Sequence, residues 1–503
     1  MKTILTSIGA VTFCFVYTMA VAQSDELDSA FGIKGKATTT IGSSGTPYAL
    51  TIQSNQRIIA AGSSFNGGDF DFALARYKTN GKLDASFGTG GKVITDLGGD
   101  ETARSVNLSG GKIIVAGYAS SGFCVIRYNL FGKVDSSFGT NGKTITDFNG
   151  NGGLCYASAI QTNRKIVAVG TSAGNFVIVR YNANGKIDKT FGVKGILIAD
   201  SSNGFSNVAR AVSLQPDGKI IAVGYSGPFG SRKFLVTRIN TNGTLDSTFG
   251  RNGKTYTDFS NFFALDNLAF AMAISSTGKI YAGGQSSGNE TNNFSQFSLA
   301  RYRATGKLDK SFSSDGKVLT DFDGFDDGAN AIVVMPDGKI IVAGTLYSQQ
   351  LTGILRFNLD GSPDASFGNN GKLTTNYKPP TAAVLQDDGK YLVAVDDEFT
   401  VVRYKAENTP ITALRAIAEL NEAAVSDEIM LTPNPSKDFV KINNLDPSVI
   451  SVLSVINASG KIILRATARD KNYSLNIKAL PPGIYYLQIV ANKKVTGIKF
   501  IKE

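Results

Sequence analysis

The sequence predicts an all-β protein: a seven-bladed β-propeller of four-stranded blades, followed by a small C-terminal β-sandwich. One unit recurs seven times at intervals of 51 to 63 residues. Each unit contains short apolar runs separated by turn residues, and the pattern changes abruptly near residue 406. With 55 Gly and 31 Phe in 503 residues, the composition is typical of many short strands joined by tight turns.

Residues 1–22 are predicted to be a signal peptide. Lys2 provides the positive start, Ile4 to Val21 is an apolar run, and Ala20-Val21-Ala22 has the small-x-small form of a cleavage site. The mature chain is therefore expected to begin at Gln23. A membrane anchor is the alternative, but the run is marginal in length for a span and ends in a cleavage site. We expect no transmembrane segment after signal removal.

The clearest part of the repeat is a hydrophobic residue, Asp, two further residues and then Phe, usually followed by Gly. The seven copies begin at Leu27, Leu83, Val134, Ile187, Leu245, Leu308 and Pro363, and their phenylalanines are Phe31, Phe87, Phe138, Phe191, Phe249, Phe312 and Phe367. We expect these residues to have structural roles. Each Phe fills a gap between blades, and each Asp caps a turn or pairs with an arginine.

Each unit also predicts four strands. Ala211 to Gly224 is an apolar run, an Asp-Gly turn and a second apolar run, which is a strong hairpin signal. Phe176 to Tyr181 is a third strand containing an arginine, and Gly142 to Asp147 is typical of the fourth. Strands that are apolar on consecutive residues are covered on both faces. Such units in tandem indicate propeller blades; the alternative is a linear β-solenoid.

The three signatures together resemble the bacterial delta-60 repeat family over residues 27–404, within an expected propeller domain of residues 23–405. This resemblance implies the fold and supplies no activity. We expect the strand before the Asp-Gly turn, which is rich in alanine, to lie innermost, and the Gly-Lys strand to lie outermost. An arginine precedes an aspartate by eight residues in six copies, which leaves Arg403 and Asp28 without partners in sequence. We therefore predict that the ring closes by pairing Lys36–Thr40 with Val401–Tyr404.

The last part of the chain is predicted to be a separate unit. Residues 406–428 are expected to be a linker with a short helix at Ala413–Val425, and residues 429–503 to be a small β-sandwich. The sandwich resembles the C-terminal sorting domain of type IX secretion substrates. The pieces that carry this resemblance are Pro433-Asn434-Pro435, Ala458-Ser459-Gly460-Lys461, Leu480–Tyr486 and the basic final strand. It implies recognition by the type IX machinery and a secreted or outer-surface location reached through the periplasm; a generic β accessory module is the alternative.

Several kinds of chemistry are absent from the sequence. With no histidine, catalysis by Ser-His-Asp or Cys-His groups and His-ligated metals are excluded. The sequence nominates no catalytic, cofactor-binding or metal-binding residue. A calcium site in the acidic stretch Asp321–Gly328 is a minor alternative to a solvated loop, because Phe325 breaks the EF-hand pattern. After signal removal, Cys124 and Cys155 remain, either paired or as buried free thiols.

Two classes of function stay open. Residues 429–503 carry +7 of the net charge of +10, and the long middle region carries a dilute excess of +6 without a Lys/Arg cluster, which argues against nucleic acid as a partner. The sequence favours a monomeric binding or structural module with an extracellular ligand, a glycan or a protein, on one propeller face. The alternative is a carboxylate-dependent glycan-active enzyme, a lyase or hydrolase. An enzyme requires two converging carboxylates with perturbed pKa in a pocket, whereas a binder requires an aromatic or polar patch.

Overall fold

The computed structural model describes residues 26–120, 122–201, 206–259, 266–287, 294–322, 324–405, 430–432, 436–443, 445, 451–457, 462–491 and 494–503. The predicted signal peptide, the predicted linker helix and the motifs at 433–435 and 458–461 lie outside these residues. Within them every regular element is a β-strand. In this part of the chain no helix could cross a membrane.

Six consecutive antiparallel sheets of four strands form blades 1 to 6. Blade 1 is β2 (Ser44–Ile52), β3 (Ile58–Phe65), β4 (Phe70–Tyr77) and β5 (Lys92–Thr95); blade 2 is β6 (Thr102–Ser109), β7 (Lys112–Ala119), β8 (Gly122–Asn129) and β9 (Lys143–Thr146); blade 3 is β10 (Leu154–Ile160), β11 (Ile166–Ser172), β12 (Asn175–Tyr181) and β13 (Ile196–Asp200). Blade 4 is β14 (Val208–Leu214), β15 (Ile220–Ser226), β16 (Lys233–Ile239) and β17 (Lys254–Thr257); blade 5 is β18 (Asn267–Ile274), β19 (Ile280–Ser286), β20 (Gln296–Tyr302) and β21 (Lys317–Thr320); blade 6 is β22 (Asp327–Val334), β23 (Ile340–Leu346), β24 (Leu351–Phe357) and β25 (Lys372–Thr374).

The seventh blade joins the two ends of the repeat region. It consists of β26 (Pro380–Leu385), β27 (Tyr391–Val395), β28 (Thr400–Tyr404) and, as its outer strand, β1 (Lys36–Ala37). Lys36 pairs with Val402 and Ala37 with Val401, so the predicted ring closure is confirmed. The regular strand is shorter than predicted, but the pairing continues: Thr39 N donates to Glu398 O. A linear solenoid is therefore wrong.

The predicted order of strands within a blade is also confirmed. The first strands of neighbouring blades contact one another all round the ring, from β2 through β26 and back to β2. They are therefore the innermost strands, and the short Gly-Lys strands are at the opposite, outer edge of each sheet. Small side chains suit the first strands because the seven sheets converge there.

The repeated motifs meet in one structural unit, which we call the clamp: the motif Asp and Phe, the arginine of the third strand, and the basic residue after the hairpin turn. In blade 3, Arg180 Nε lies 2.7 Å from Asp188 Oδ2, and Lys165 Nζ lies 2.8 Å from the same oxygen. The Arg180 guanidinium also lies 4.5 Å from the ring centroid of Phe191 and donates a hydrogen bond to Thr241 O in the next blade. The Asp188 carboxylate caps its own turn by accepting from Thr190 N.

All seven copies build this clamp. The Arg–Asp pairs are Arg76–Asp84, Arg127–Asp135, Arg180–Asp188, Arg238–Asp246, Arg301–Asp309, Arg356–Asp364 and Arg403–Asp28, at 2.7–3.0 Å. The seventh pair joins residues far apart in the chain and confirms the predicted proximity of Asp28 and Arg403. Each motif phenylalanine is buried in a core between two blades, as Phe31 is with Ile58 of blade 1 and Leu392 of blade 7. The expected structural roles of the motif Asp and Phe are thus confirmed.

The C-terminal region forms two sheets. One contains β29 (Met430–Thr432), β30 (Phe439–Asn443) and β33 (Tyr473–Asn476); the other contains β31 (Ser451–Asn457), β32 (Ile462–Ala468), β34 (Gly483–Ala491) and β35 (Lys494–Lys502). Both sheets contribute buried side chains to one core, among them Val440 and Leu475 from the first and Leu453, Leu487 and Phe500 from the second.

The two cysteines of the propeller are free and buried. Burial raises the pKa of the Cys124 thiol to about 12, and it raises that of Cys155 further. Thiols held in the protonated form are poor nucleophiles. These side chains therefore act as small apolar groups in the core.

Candidate ligand site at the central channel

Each innermost strand carries one β-bulge at the same place. A bulge inserts an extra residue, which is left out of the ladder and can aim its side chain in a new direction. The extra residues of blades 1 to 7 are, in order, Tyr48, Arg104, Tyr156, Arg210, Phe270, Asn330 and Thr381. All seven are half-buried, although the residues directly before them in the strands are buried.

The large side chains at these bulges contact one another from blade to blade. The guanidinium of Arg104 lies 3.8 Å from the ring centroid of Tyr48. The guanidinium of Arg210 lies 4.3 Å from the ring centroid of Tyr156 and 5.0 Å from that of Phe270. These contacts join the innermost strands of blades 1 and 2 and those of blades 3, 4 and 5, so they lie along the rim of the central channel.

Two tyrosines of the second strands extend this arrangement. Tyr118 of β7 lies 5.8 Å from the Arg104 guanidinium, and a nitrogen of that group is 3.4 Å from the Tyr118 hydroxyl. Tyr225 of β15 packs edge-on against Phe270, with ring centroids 6.4 Å apart. We call the set Tyr48, Arg104, Tyr118, Tyr156, Arg210, Tyr225 and Phe270 the axial cluster.

The two arginines of the axial cluster bring positive charge that has no ion-pair partner among the described residues. No carboxylate forms an ion pair with Arg104 or Arg210 in the described parts of the chain, whereas every clamp arginine has one. Arg104 Nε is buried and has no hydrogen-bond acceptor there either. A buried, unmatched donor on a cation is costly, since it has lost its water without a replacement.

The charge of Arg210 acts on the pKa of tyrosines in other blades. Burial alone would raise the pKa of Tyr118, but its hydrogen bonds with Thr102 and Arg104 and the charges of Arg104 and Arg210 outweigh burial and lower it. Burial raises the pKa of Tyr347 in blade 6, where the charge of Arg210 opposes the rise. Arg210 belongs to blade 4, and its positive charge thus favours the ionised form of tyrosines in blades 2 and 6.

This geometry suits an anionic ligand with a ring. A guanidinium recognises a carboxylate, sulfate or phosphate through two parallel hydrogen bonds. Ligand sites combine such placed polar groups with aromatic walls that bury the rest of the ligand. The axial cluster offers two guanidiniums at one mouth of the channel. Arg104 lies against Tyr48 and Tyr118, and Arg210 lies against Tyr156 and Phe270.

A separate cavity of about 310 Å³ lies near the hairpin turns of blades 1 and 7. It is lined by residues such as Thr51, Gln53, Gln56 and Asp387, and Gln56 Nε2 donates to Asp387 Oδ2 at 2.6 Å across it. It contains no aromatic side chain. Its polar lining and existing bridge make it a gap between two turns with no evident recognition chemistry.

In the acidic stretch Asp321–Gly328, considered from sequence as a calcium loop, two carboxylates accept hydrogen bonds from the stretch's own backbone. Asp321 Oδ1 accepts from Gly324 N and Asp327 Oδ2 accepts from Phe322 N. Three carboxylates converge elsewhere among the described residues: Asp71, Asp96 and Glu101. Asp71 lies in β4 and the other two lie at the two ends of the loop between β5 and β6, and sequence reasoning missed them because no local motif joins all three.

The axial cluster was also missed from sequence. The alanines on either side of a bulge indicate an innermost strand, but they do not indicate that the residue between them faces the channel. Ala209-Arg210-Ala211 shows what the signal looks like: a large polar or aromatic residue between two small ones in an innermost strand. Reading that one position across the seven copies identifies the ring of bulged residues.

Comparisons with known proteins agree with the architecture. Six segments match a family model described as "Domain of unknown function (DUF5122) beta-propeller": residues 53–87, 109–138, 161–191, 215–249, 275–312 and 336–367. Each segment ends at a motif phenylalanine. The seventh blade lies outside these segments, as is expected for a unit divided between the two ends of the ring.

Residues 431–503 match a second family model, "Secretion system C-terminal sorting domain". The chain thus has a repeat region of this β-propeller type and, at its C-terminus, a type IX sorting domain. The sorting domain supports export and a secreted or cell-surface location, and implies an interaction with the type IX machinery. The chain matches no curated protein.

Among solved structures, the chain is similar to the WD40 β-propeller domain of Doa1, with 10% identity, a TM-score of 0.45, and coverage of 75% of this chain and 98% of that one. It is also similar to Sqt1 of Chaetomium thermophilum bound to the N-terminus of the ribosomal protein L10, with 11% identity, a TM-score of 0.41, and coverage of 74% and 99%. Drosophila Plexin A in complex with Semaphorin 1b gives 11% identity, a TM-score of 0.39, and coverage of 76% and 88%.

Proposed function

We propose that the chain is an exported binding protein whose propeller captures an anionic glycan at the axial cluster. The observation that carries the proposal is the pair of arginines, Arg104 and Arg210, held against aromatic rings at the channel without a carboxylate partner among the described residues. A uronic-acid residue supplies what this site lacks: a carboxylate for a guanidinium and a ring that packs on the aromatic walls.

The export part of the proposal divides the chain by task. Residues 1–22 act as the signal peptide, residues 23–405 form the binding domain, residues 406–428 link the domains, and residues 429–503 fold as a small β-sandwich that the type IX machinery recognises. The match to a sorting domain supports this assignment. The exported protein functions as a monomer, because the ring is closed by its own first strand and leaves no blade incomplete.

The proposal is tested by measuring the binding of uronic-acid oligosaccharides and of their neutral counterparts to the purified mature chain. Isothermal titration calorimetry should show binding of the acidic sugars only. Arg104→Gln and Arg210→Gln should each weaken binding at least about tenfold, since a central buried charged contact is a typical hot spot. Arg251→Gln is the matched control, because Arg251 is exposed and lies at the opposite end of its blade.

Thermal unfolding of each variant shows whether the propeller remains folded. Equal binding by the wild type and the two axial variants would contradict the proposal, and so would equal binding of acidic and neutral sugars.

The alternative of a carboxylate-dependent enzyme is tested by the same samples. Burial, opposed by a hydrogen bond from Leu97 N and reinforced by the charges of Asp71, Asp96 and Asp69, raises the pKa of Glu101 to about 7. A carboxylate with such a pKa can act as a general acid. However, Glu101 is fully buried, so a glycan cannot reach it in this conformation. Release of shorter or unsaturated sugars, lost in Glu101→Gln, would favour the enzyme.

A further inference from the structure

Three carboxylates converge where blade 1 meets blade 2. Asp71 lies at the start of β4, Asp96 directly follows β5 and Glu101 directly precedes β6, so that one strand and the two ends of the β5–β6 loop bring them together. One carboxylate oxygen from each lies within 4.8 Å of one from each of the others. This spread matches a single ion with oxygen ligands at about 2.3–2.6 Å, because ligands on opposite sides of such an ion are about 5 Å apart.

Two of these carboxylates are buried and only half used. Asp71 is 2% exposed and Glu101 0%. Asp71 Oδ2 accepts a hydrogen bond from Asn66 Nδ2 at 3.0 Å, and Glu101 Oε2 accepts one from Leu97 N at 3.2 Å. Their second oxygens, Oδ1 and Oε1, are buried and have no partner among the described residues. No lysine or arginine there forms an ion pair with any of the three carboxylates. Buried carboxylates normally have a cation or a full set of donors.

Another blade shows how the same place is neutralised by the protein itself. Asp71 precedes Phe72, which pairs with Thr95; in blade 4, Lys233 precedes Phe234, which pairs with Thr257. The structural equivalent of Asp71 is therefore a lysine. Its ammonium lies 3.3 Å from Asp258 Oδ2, and Asp258 is the equivalent of Asp96.

The position of Glu101 has a neutral counterpart as well. In blade 5 the equivalent residue is Asn267, whose Oδ1 accepts from Phe259 N as Glu101 Oε2 accepts from Leu97 N. The loop therefore needs only an acceptor here, and an amide provides it. The blade 4–5 junction combines one carboxylate, one ammonium and one amide, whereas the blade 1–2 junction combines three carboxylates.

We propose that Asp71, Asp96 and Glu101 form a binding site for a divalent cation of the calcium class. The ion takes the place that the Lys233 ammonium occupies at the blade 4–5 junction. All three ligands are carboxylates, and hard oxygen ligands of this kind select Ca²⁺ over softer transition metals. Asp96 is exposed and gives the ion a path from solvent. Extracellular modules bind Ca²⁺ at submillimolar to millimolar concentrations, which suits an exported protein.

The test uses the mature full chain, stripped with EDTA and then titrated with CaCl₂ or MgCl₂ in a calorimeter, with thermal unfolding measured in parallel. We expect one saturable Ca²⁺ site, and a melting temperature that rises by about 2–5 °C in millimolar Ca²⁺. Glu101→Gln and Asp71→Lys should lose both effects. Asp71→Lys reproduces the lysine of blade 4 and should melt above the stripped wild type without added metal.

A control variant and three outcomes complete the test. Asp327→Asn changes the position equivalent to Glu101 in blade 6 and should leave Ca²⁺ binding unchanged. If the wild type shows no Ca²⁺-dependent shift, or if Asp71→Lys keeps the full shift, the proposal is overturned. It is equally overturned if the stripped protein responds to pH near 7 but never to Ca²⁺, because a shared proton would then satisfy the carboxylates.

Discussion

The ring closure makes the first strand far more important than its two residues suggest. Deleting residues 28–41 from the mature chain removes β1, the clamp residue Asp28 and the buried side chains Phe31 and Ile41. It also leaves Arg403, which is 6% exposed, without its carboxylate. The exposed edge of β28 then offers unpaired backbone groups to other chains.

The size of the effect follows from these contacts. Burial of Phe31 and Ile41 contributes about 1.5–3 kcal/mol each. Breaking a buried ion pair by removing one partner costs about 3–5 kcal/mol. Together these give roughly 6–11 kcal/mol, which is comparable to the whole stability of a typical domain, about 5–15 kcal/mol.

We therefore expect the truncated protein to melt at least about 10 °C below the intact one, or to lose its cooperative transition. The chain contains no tryptophan, so circular dichroism or tyrosine fluorescence is the suitable signal. A synthetic peptide of residues 26–41 added in trans should restore part of the loss by occupying the edge of β28. Equal melting temperatures of truncated and intact protein, or a peptide without effect, would refute the closure as a source of stability.

Two further predictions concern the tail and the clamps. Deleting Leu431 to Glu503 should leave a folded propeller in the periplasm of the native host, detected by fractionation and protease resistance; normal secretion of this variant would contradict the sorting role. In the blade 3 clamp, burial would raise the pKa of Asp188, but the hydrogen bond from Lys165, those from Thr190 and the charge of Arg180 hold it well below its usual range. Because the folded pKa is lowered, this stabilisation is present above pH about 4 and is lost as the pH falls further. Melting curves from pH 7 downwards should therefore show Asp188→Asn less stable than wild type at neutral pH and closer to it in acid, and a constant difference at all pH values would contradict the assignment.

The scaffold could be predicted from the sequence because each of its parts is repeated. The spacing of eight residues between arginine and aspartate revealed six clamps, and the two unmatched residues, Arg403 and Asp28, revealed the closure. Both inferences use residues whose partners are fixed by the repeat itself. The regular strand β1 is shorter than predicted, because beyond Ala37 the pairing continues only as a hydrogen bond from Thr39 N to Glu398 O.

The acidic group could not be predicted in the same way. Asp71, Asp96 and Glu101 are separated by up to 30 residues, and only Asp96 belongs to a recurring element, the Thr-Asp pair that follows the outer strand of several blades. Their convergence depends on how the loop between β5 and β6 folds back over the start of β4. The acidic stretch at Asp321–Gly328 looked more favourable in sequence because its charges are adjacent, yet Asp321, Asp326 and Asp327 accept hydrogen bonds from backbone donors.

The contrast between constant and variable positions explains where function can reside in this ring. A clamp position holds the same chemistry in every blade, because each blade needs its ion pair and its phenylalanine to pack against the next one. The bulge position holds Tyr, Arg, Tyr, Arg, Phe, Asn and Thr in turn. A bulged residue is outside the hydrogen-bonded ladder and only half-buried, so packing places few demands on its side chain. The fold therefore leaves this position free to carry ligand chemistry, and the arginines and aromatic rings found there are the groups on which the proposed binding of an anionic glycan rests.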